Sequence, residues 1–111
     1  MSRPIFRGRR TGNGLLVWYH DADFDKWIPL PLRLDLYNHS PTGFECGYGG
    51  SGPAQLALAM LAHVLNNDNR ALKLHQRFKQ RVVARLPHDG DWELNRADLN
   101  LVLRELWREL H

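Results

Sequence analysis

The apolar and polar positions divide the chain into a strand-like first half and a helical second half. Ile5 to Arg10 and Leu15 to His20 are apolar-rich runs on either side of Thr11-Gly12-Asn13-Gly14. An Asn-Gly pair between two such runs predicts a β-hairpin, because both residues accept the positive φ of a tight turn. Leu30, Leu32, Leu34 and Leu36 then alternate with Pro31, Arg33, Asp35 and Tyr37. A period of two predicts a further strand with one leucine face turned inward. Pro31 cannot donate to a ladder, so this strand belongs at an edge or begins near Leu32.

Asn38 to Gly52 is rich in glycine, serine and proline and reads as a loop. It ends at Pro53, a residue pre-set for the first helical position. From Ala54 to Leu65 only Gln55 and His63 interrupt the apolar character, so this helix is expected to be buried on most sides. Asn66-Asn67-Asp68 ends it. A second helix is predicted from about Asn69 to Leu86. At about 100° per residue, Ala71, Leu74, His75, Phe78, Val82 and Leu86 share one face, and Arg70, Lys73, Arg77, Arg81 and Arg85 form a basic stripe beside it. Pro87-His88-Asp89-Gly90 breaks the chain. Trp92-Glu93-Leu94 adds a strand or a brace. Asn95 with Asp98 resembles a capping box for a last helix, about Arg96 to Leu110, that buries Leu99, Val102, Leu103, Leu106 and Leu110. The expected fold class is α+β. A small antiparallel sheet, the N-terminal hairpin plus an edge strand, packs against three helices with the Pro53–Leu65 helix central.

Composition narrows the function classes. A chain of 111 residues has room for a single domain, and 43% hydrophobic with 24% charged residues is an ordinary globular balance. Cys46 is the only cysteine, which excludes a disulfide within the chain and a cysteine-built metal site. The longest apolar run, Pro53 to Leu65, falls short of the roughly 20 residues of a membrane span. Met1-Ser2-Arg3-Pro4 does not open a signal peptide, so the expected location is cytoplasmic, with no membrane partner.

The net charge of +3 says less than its distribution. Arg3 to Arg10 holds four arginines and no acid, and Arg70 to Arg85 six bases and no acid. Asp89 to Glu109 holds six acids against three arginines. Such blocks point to complementary faces, within the fold or toward a partner. Like charges three and four apart on the stripe repel. Either Asp98, Glu105 and Glu109 on the last helix offset them, or the phosphates of a nucleic acid or an acidic protein do so. In the latter case Arg7, Arg9 and Arg10 extend the partner surface.

The string Gly43-Phe44-Glu45-Cys46-Gly47-Tyr48-Gly49-Gly50-Ser51-Gly52-Pro53-Ala54-Gln55-Leu56-Ala57-Leu58-Ala59 resembles the central motif of a family of small bacterial, archaeal and phage domains of unknown function. Members of that family read G-F-E-W-G-Y-G-G-S-G-P-A-Q-L-A-L-A and carry a W-x-L before a last helix, matched by Trp92-Glu93-Leu94. Cys46 stands where the family has tryptophan. The resemblance covers the whole chain and brings no activity with it. Its spread through phages and mobile elements implies a non-catalytic protein that docks onto a host or phage macromolecule, as an inhibitor of a bacterial defence system would.

Candidate chemistry is sparse. Gly47-x-Gly49-x-x-Gly52 satisfies the dinucleotide pattern, but neither an apolar strand before it nor a parallel strand after the helix is in place. A glycine loop entering a helix can still offer N–H groups to an anion, so Gly47, Tyr48, Gly49, Gly50, Ser51 and Gly52 are a candidate anion or nucleotide site. In the alternative, the glycines serve close packing, with Gly49 or Gly52 at positive φ. Asp21-x-Asp23-x-Asp25 opens like a calcium loop but meets Lys26 and Leu32 where glycine and glutamate belong. The histidines His20, His39, His63, His75, His88 and His111 have no metal spacing. No catalytic residue, metal or cofactor is expected. The expected partner is a protein or ribonucleoprotein, with nucleic acid on the basic residues as the alternative and the oligomeric state open.

Overall fold

The computed structural model of the protein describes residues 3–110, and His111 lies outside them. The order is β1 (Pro4–Thr11), β2 (Gly14–Asp21), β3 (Lys26–Pro29), α1 (Ser51–Leu65), α2 (Asp68–Arg81), a short 3-10 turn (Val83–Arg85), β4 (Trp92–Asn95) and α3 (Arg96–Leu110). The strands form one antiparallel sheet in the order β3-β2-β1-β4, so the chain returns after two helices to complete the sheet beside β1. The fold is α+β, as the pattern predicts.

The hairpin closes on Thr11 and Gly14, with the Thr11 hydroxyl accepting from Asn13 N and donating to Gly14 O. Of the Asn-Gly pair only Gly14 takes a positive φ, of 124°, so the turn is tight without the two left-handed residues anticipated. Phe6, Leu15, Val17 and Trp92 are buried on the inner face of the sheet. There α1 presents His63, whose ring lies 4.0 Å from Tyr19 and 5.8 Å from Phe6. A register shift between Pro4 and Phe6 lets Ile5 and Phe6 both be buried. Gly8 pairs with Trp92, whose indole occupies the space a Cβ would need, 2.3 Å from it.

The alternating leucines do not make the edge strand. β3 lies just upstream, and pairing stops at Leu30, whose N–H donates to Val17 O. Pro31 cannot extend the ladder, and Arg33 turns the chain at φ 57°. Leu30 is buried, Leu32 and Leu36 are half-buried and Leu34 is exposed, so the alternation reflects a loop pressed on the core.

Residues Gly52 to Ala62 of α1 are buried without interruption, which is why every turn of this helix is apolar. Each of Leu56, Leu58, Met60 and Leu61 contributes roughly 1.5–3 kcal/mol by leaving water. Asn66 ends α1 in the left-handed region (φ 48°), and the Asn67 side chain caps α2 by accepting from Arg70 N. This confirms Asn66-Asn67-Asp68 as the terminator.

α2 stops at Arg81, short of Leu86. The 3-10 turn buries Val83 in place of Val82, and the Val83 carbonyl accepts from Gly47 N at 3.0 Å as well as from Leu86 N at 3.3 Å. Arg85 therefore leaves the helical stripe. In α3, Leu99 and Leu106 are buried and Val102 and Leu103 are half-buried, while Leu110, expected inside, is exposed. Among the described residues no helix is long and apolar enough to cross a membrane.

Candidate functional site

The glycine-rich loop packs tightly at both of its ends. Glu45 receives a bidentate contact from the Arg10 guanidinium, at 2.9 and 2.8 Å, and Arg10 Nε donates to His88 O. The pair is mostly shielded, and Arg10 holds the Glu45 carboxyl below its usual range. Gly47 takes φ 85° against His88 and Leu86. A Cβ on Gly52 would meet that of Glu45 at 2.6 Å, and one on Gly50 would meet the Tyr48 ring at 2.7 Å. Gly49 has open space around it. The positive φ expected at Gly49 or Gly52 thus belongs to Gly47, and Gly52 is needed for proximity alone. Ser51 opens α1 behind Gly50, which has no side-chain cap, and Tyr48 stands exposed, edge-on to His88.

Cys46 is buried and donates to Pro87 O. Burial pushes its thiol up, so it is a poor nucleophile. Trp92 Nε1 makes no hydrogen bond of ordinary geometry among the described residues, though its N–H opposes part of that push.

The basic residues are not one surface. Arg77 and Arg81 both reach Glu109, and Arg81 also lies 3.6 Å from Glu105. Arg81, then Arg77, hold the Glu109 carboxyl low. Arg70 lies over the Trp107 ring at 4.7 Å. Of the five stripe residues these three engage α3, which is the internal arrangement; Lys73 and Arg85 have no carboxylate within salt-bridge distance among the described residues. On β1, Arg7 pairs with Glu93 at 2.8 Å, Arg9 lies 3.9 Å from Asp91, and Arg10 is tied to Glu45.

Two constellations escape the sequence patterns. Gln55 is fully buried: its Oε1 accepts from His39 N and Ser40 N, and its Nε2 donates to Leu32 O and Tyr37 O. A lone amide in an otherwise apolar helix is the signal, since such a group must be satisfied. Close by, His75 Nδ1 lies 2.8 Å from Leu72 O and so carries its proton there, leaving its Nε2 to accept from His39 Nε2 at 3.0 Å. Burial, then His75 and Lys79, lower the His39 pKa from 6.5. Burial and Arg96 lower that of His63, against a smaller opposing effect of Asp21. Below the unfolded value of 6.5, the unfolded chain therefore binds more protons than the folded one, and stability falls with pH. Glu45 contributes stability above its unfolded value of 4.5, which is lost on further acidification. We expect the unfolding free energy, measured in urea, to decline from about pH 7.5 to about pH 5.5. A flat profile would contradict the partial desolvation of half-buried His39 and of His63 against the Phe6 and Tyr19 rings.

The outer face of the sheet is built differently. Cross-strand partners share a face, so Arg7 stands with Trp18 and Glu93, Trp18 with Pro29, Arg9 with Leu16, and His20 with Trp27. Arg7 lies over the Trp27 ring at 4.2 Å. The His20 ring is 5.3 Å from Trp27, and its Nε2 is 2.8 Å from Asp25. Trp18 and Trp27 are half-buried and Leu16 is 49% exposed. Where β2 outlasts β3, a groove of about 720 Å³ opens between Leu16, Trp18, Pro29, Leu30 and Phe44. The signal for this surface is that β2 is apolar at both Leu15, Val17, Tyr19 and Leu16, Trp18, although only one set meets the helices.

A model of a family of unknown function, DUF6166, matches residues 6–105. The chain belongs to that family. The match begins inside β1 and ends inside α3, so the DUF6166 unit includes the Arg10–Glu45 tie, the Gln55 amide and the outer sheet face. No curated protein and no solved structure matches the chain.

Proposed function

We propose that the chain is a non-catalytic binding protein whose protein or ribonucleoprotein partner docks on the outer face of the sheet. The observation that carries this reading is the one-sidedness of the sheet: α1 packs on Phe6 and Tyr19, while Leu16, Trp18 and Trp27 stand on the other side. Aromatic side chains interleaved with arginines are the composition of contact surfaces. The Arg10–Glu45, Gln55 and His39–His75 groups, in contrast, direct their hydrogen bonds into the fold.

Capture of partners from lysate, with and without nuclease, tests the proposal. Leu16→Asp is expected to leave the melting temperature nearly unchanged, as an exposed position, and to weaken capture about tenfold or more, the size of a hot-spot loss. Gln76→Glu, exposed on α2 and outside the residues of the sheet face, serves as the control. Capture indifferent to Leu16→Asp and to Arg9→Glu would sink the reading.

A second reading rests on Arg7 over Trp27 beside Trp18. Tryptophans and arginines on an open sheet are also what single-stranded nucleic acid stacks upon. Loss of capture with nuclease, together with steep salt dependence of oligonucleotide binding, would replace the protein partner by nucleic acid.

A further inference from the structure

The basic stripe of α2 divides where α3 crosses it. On one side Arg77 and Arg81 are neutralised by Glu105 and Glu109. On the other a groove of about 340 Å³ lies between the two helices, with Leu65, Leu74, Leu103 and Trp107 as its apolar lining and Arg70 and Arg104 as its charged one. Lys73, exposed and about one turn beyond Arg70 on α2, is a third cation on this part of the helix. Among the described residues no carboxylate lies within salt-bridge distance of Arg70, Lys73 or Arg104, and no acid lines the groove. Arg70 is itself exposed, with its guanidinium carbon 4.7 Å from the Trp107 ring centroid, and a guanidinium over an aromatic ring still has donors to offer a carboxylate.

We propose that this groove receives an acidic, amphipathic segment of a protein partner, with one or two large apolar side chains against Leu74, Leu103 and Trp107 and its carboxylates on Arg70, Lys73 and Arg104. Size and charge together select this occupant. The volume holds one or two large side chains, and three leucines with a tryptophan make an apolar floor of the kind that takes the anchors of a helix. The cations demand acid on the same segment. A nucleic acid strand fits less well, because it carries no aliphatic side chain to fill the space against Leu65, Leu74 and Leu103. The site is separate from the sheet face and does not depend on it.

The test is a selection on the folded full chain from a displayed library of random peptides of about 16 residues. Wild type and a Lys73→Glu, Arg104→Glu variant are run side by side; both positions are exposed, so the variant is expected to melt with wild type. If reversal perturbs folding, Lys73→Gln with Arg104→Gln removes the charges more gently. Enriched peptides are expected to be net acidic, to space large apolar residues three and four apart, and to bind the charge-reversed variant about tenfold or more weakly. No enrichment, enrichment of neutral or basic peptides, or equal binding to wild type and variant would overturn the proposal. A single-stranded oligonucleotide of about 20 nucleotides is the second probe. If it binds through Lys73 and Arg104 and displaces the peptides, the groove is a polyanion site and the proposal fails. Leu16→Asp should leave the selected peptides bound, so this reading and the sheet-face reading fail separately.

Discussion

Gln55→Leu is expected to lower the unfolding free energy by about 4 kcal/mol, since each partly buried backbone group stripped of its partner costs about 1 kcal/mol, the low end of the range for buried ones. Four such groups lose their partner at once: Leu32 O, Tyr37 O, His39 N and Ser40 N. Leucine fills a similar volume, so the loss reports hydrogen bonding more than a cavity. The four belong to the loop that lies over α1 and to no strand or helix, so the Gln55 amide does for them what a ladder would do. Gln55→Glu separates the two halves of the contact. A carboxylate still accepts from His39 and Ser40 but turns an oxygen toward Leu32 O and Tyr37 O, in a site with no exposure to water. It too should destabilise the fold, and its penalty should shrink as the pH falls and the carboxyl is protonated. Urea unfolding measures the cost, and hydrogen exchange localises it: the His39 and Ser40 amides should lose their protection first. A Gln55→Leu protein within about 1 kcal/mol of wild type would show that the loop holds its course without the amide.

That loop also marks the limit of what local pattern reveals. The Asn-Gly pair predicts the hairpin, unbroken apolar character predicts α1, and periodicity predicts the buried residues Leu99 and Leu106, whose face meets the rest of the fold. The leucines from Leu30 to Leu36 satisfy the same template, yet Pro31 removes a donor and Arg33 turns left-handed toward Asp35 and Asp68. A local ion pair to Asp35 and a long-range one to Asp68 thus accompany the departure from a period of two. The stripe on α2 fails in a similar way. Its spacing is read correctly from Arg70 to Arg81, but whether Glu109 lies across from it depends on how the helices cross, which spacing does not encode. Trp18, Trp27 and Trp107 carry the candidate contact surfaces and match no motif. Trp18 and Trp27 become visible once the sheet order shows which side the helices leave uncovered, and Trp107 once the position of α3 places it beside Arg70.

Gly47→Ala and Gly49→Ala are expected to differ by several kcal/mol although the residues are two apart in one glycine-rich string. At Gly47 the backbone is left-handed, at φ 85°, and an added Cβ would lie 2.7 Å from His88 Cβ, 2.9 Å from His88 Cα and 3.0 Å from Leu86 O. Two of those three atoms are backbone, so no rotamer change relieves the contact. The left-handed conformation costs about 1–2 kcal/mol for a residue with a Cβ, and overpacking adds about 1–3 kcal/mol. Relief by moving the chain would break the Gly47 N–H to Val83 O bond that ties the loop to the 3-10 turn after α2. It would also shift Glu45 away from Arg10, leaving a shielded charge without its partner. Gly47→Ala is therefore expected to cost about 2–5 kcal/mol. Around Gly49 nothing lies within 4 Å of a new Cβ, and φ is outside the left-handed region. Alanine there restricts the unfolded chain and should be neutral or stabilising by up to about 1 kcal/mol. The pair also tests the anion-site alternative for residues Gly47 to Gly52. If the loop offers its N–H groups to phosphate, phosphate should raise the melting temperature of both wild type and Gly49→Ala, since alanine keeps the N–H. If the glycines serve packing, phosphate should shift neither protein, and the whole effect should appear in the stability of Gly47→Ala. Equal stability of the two variants would refute the packing account.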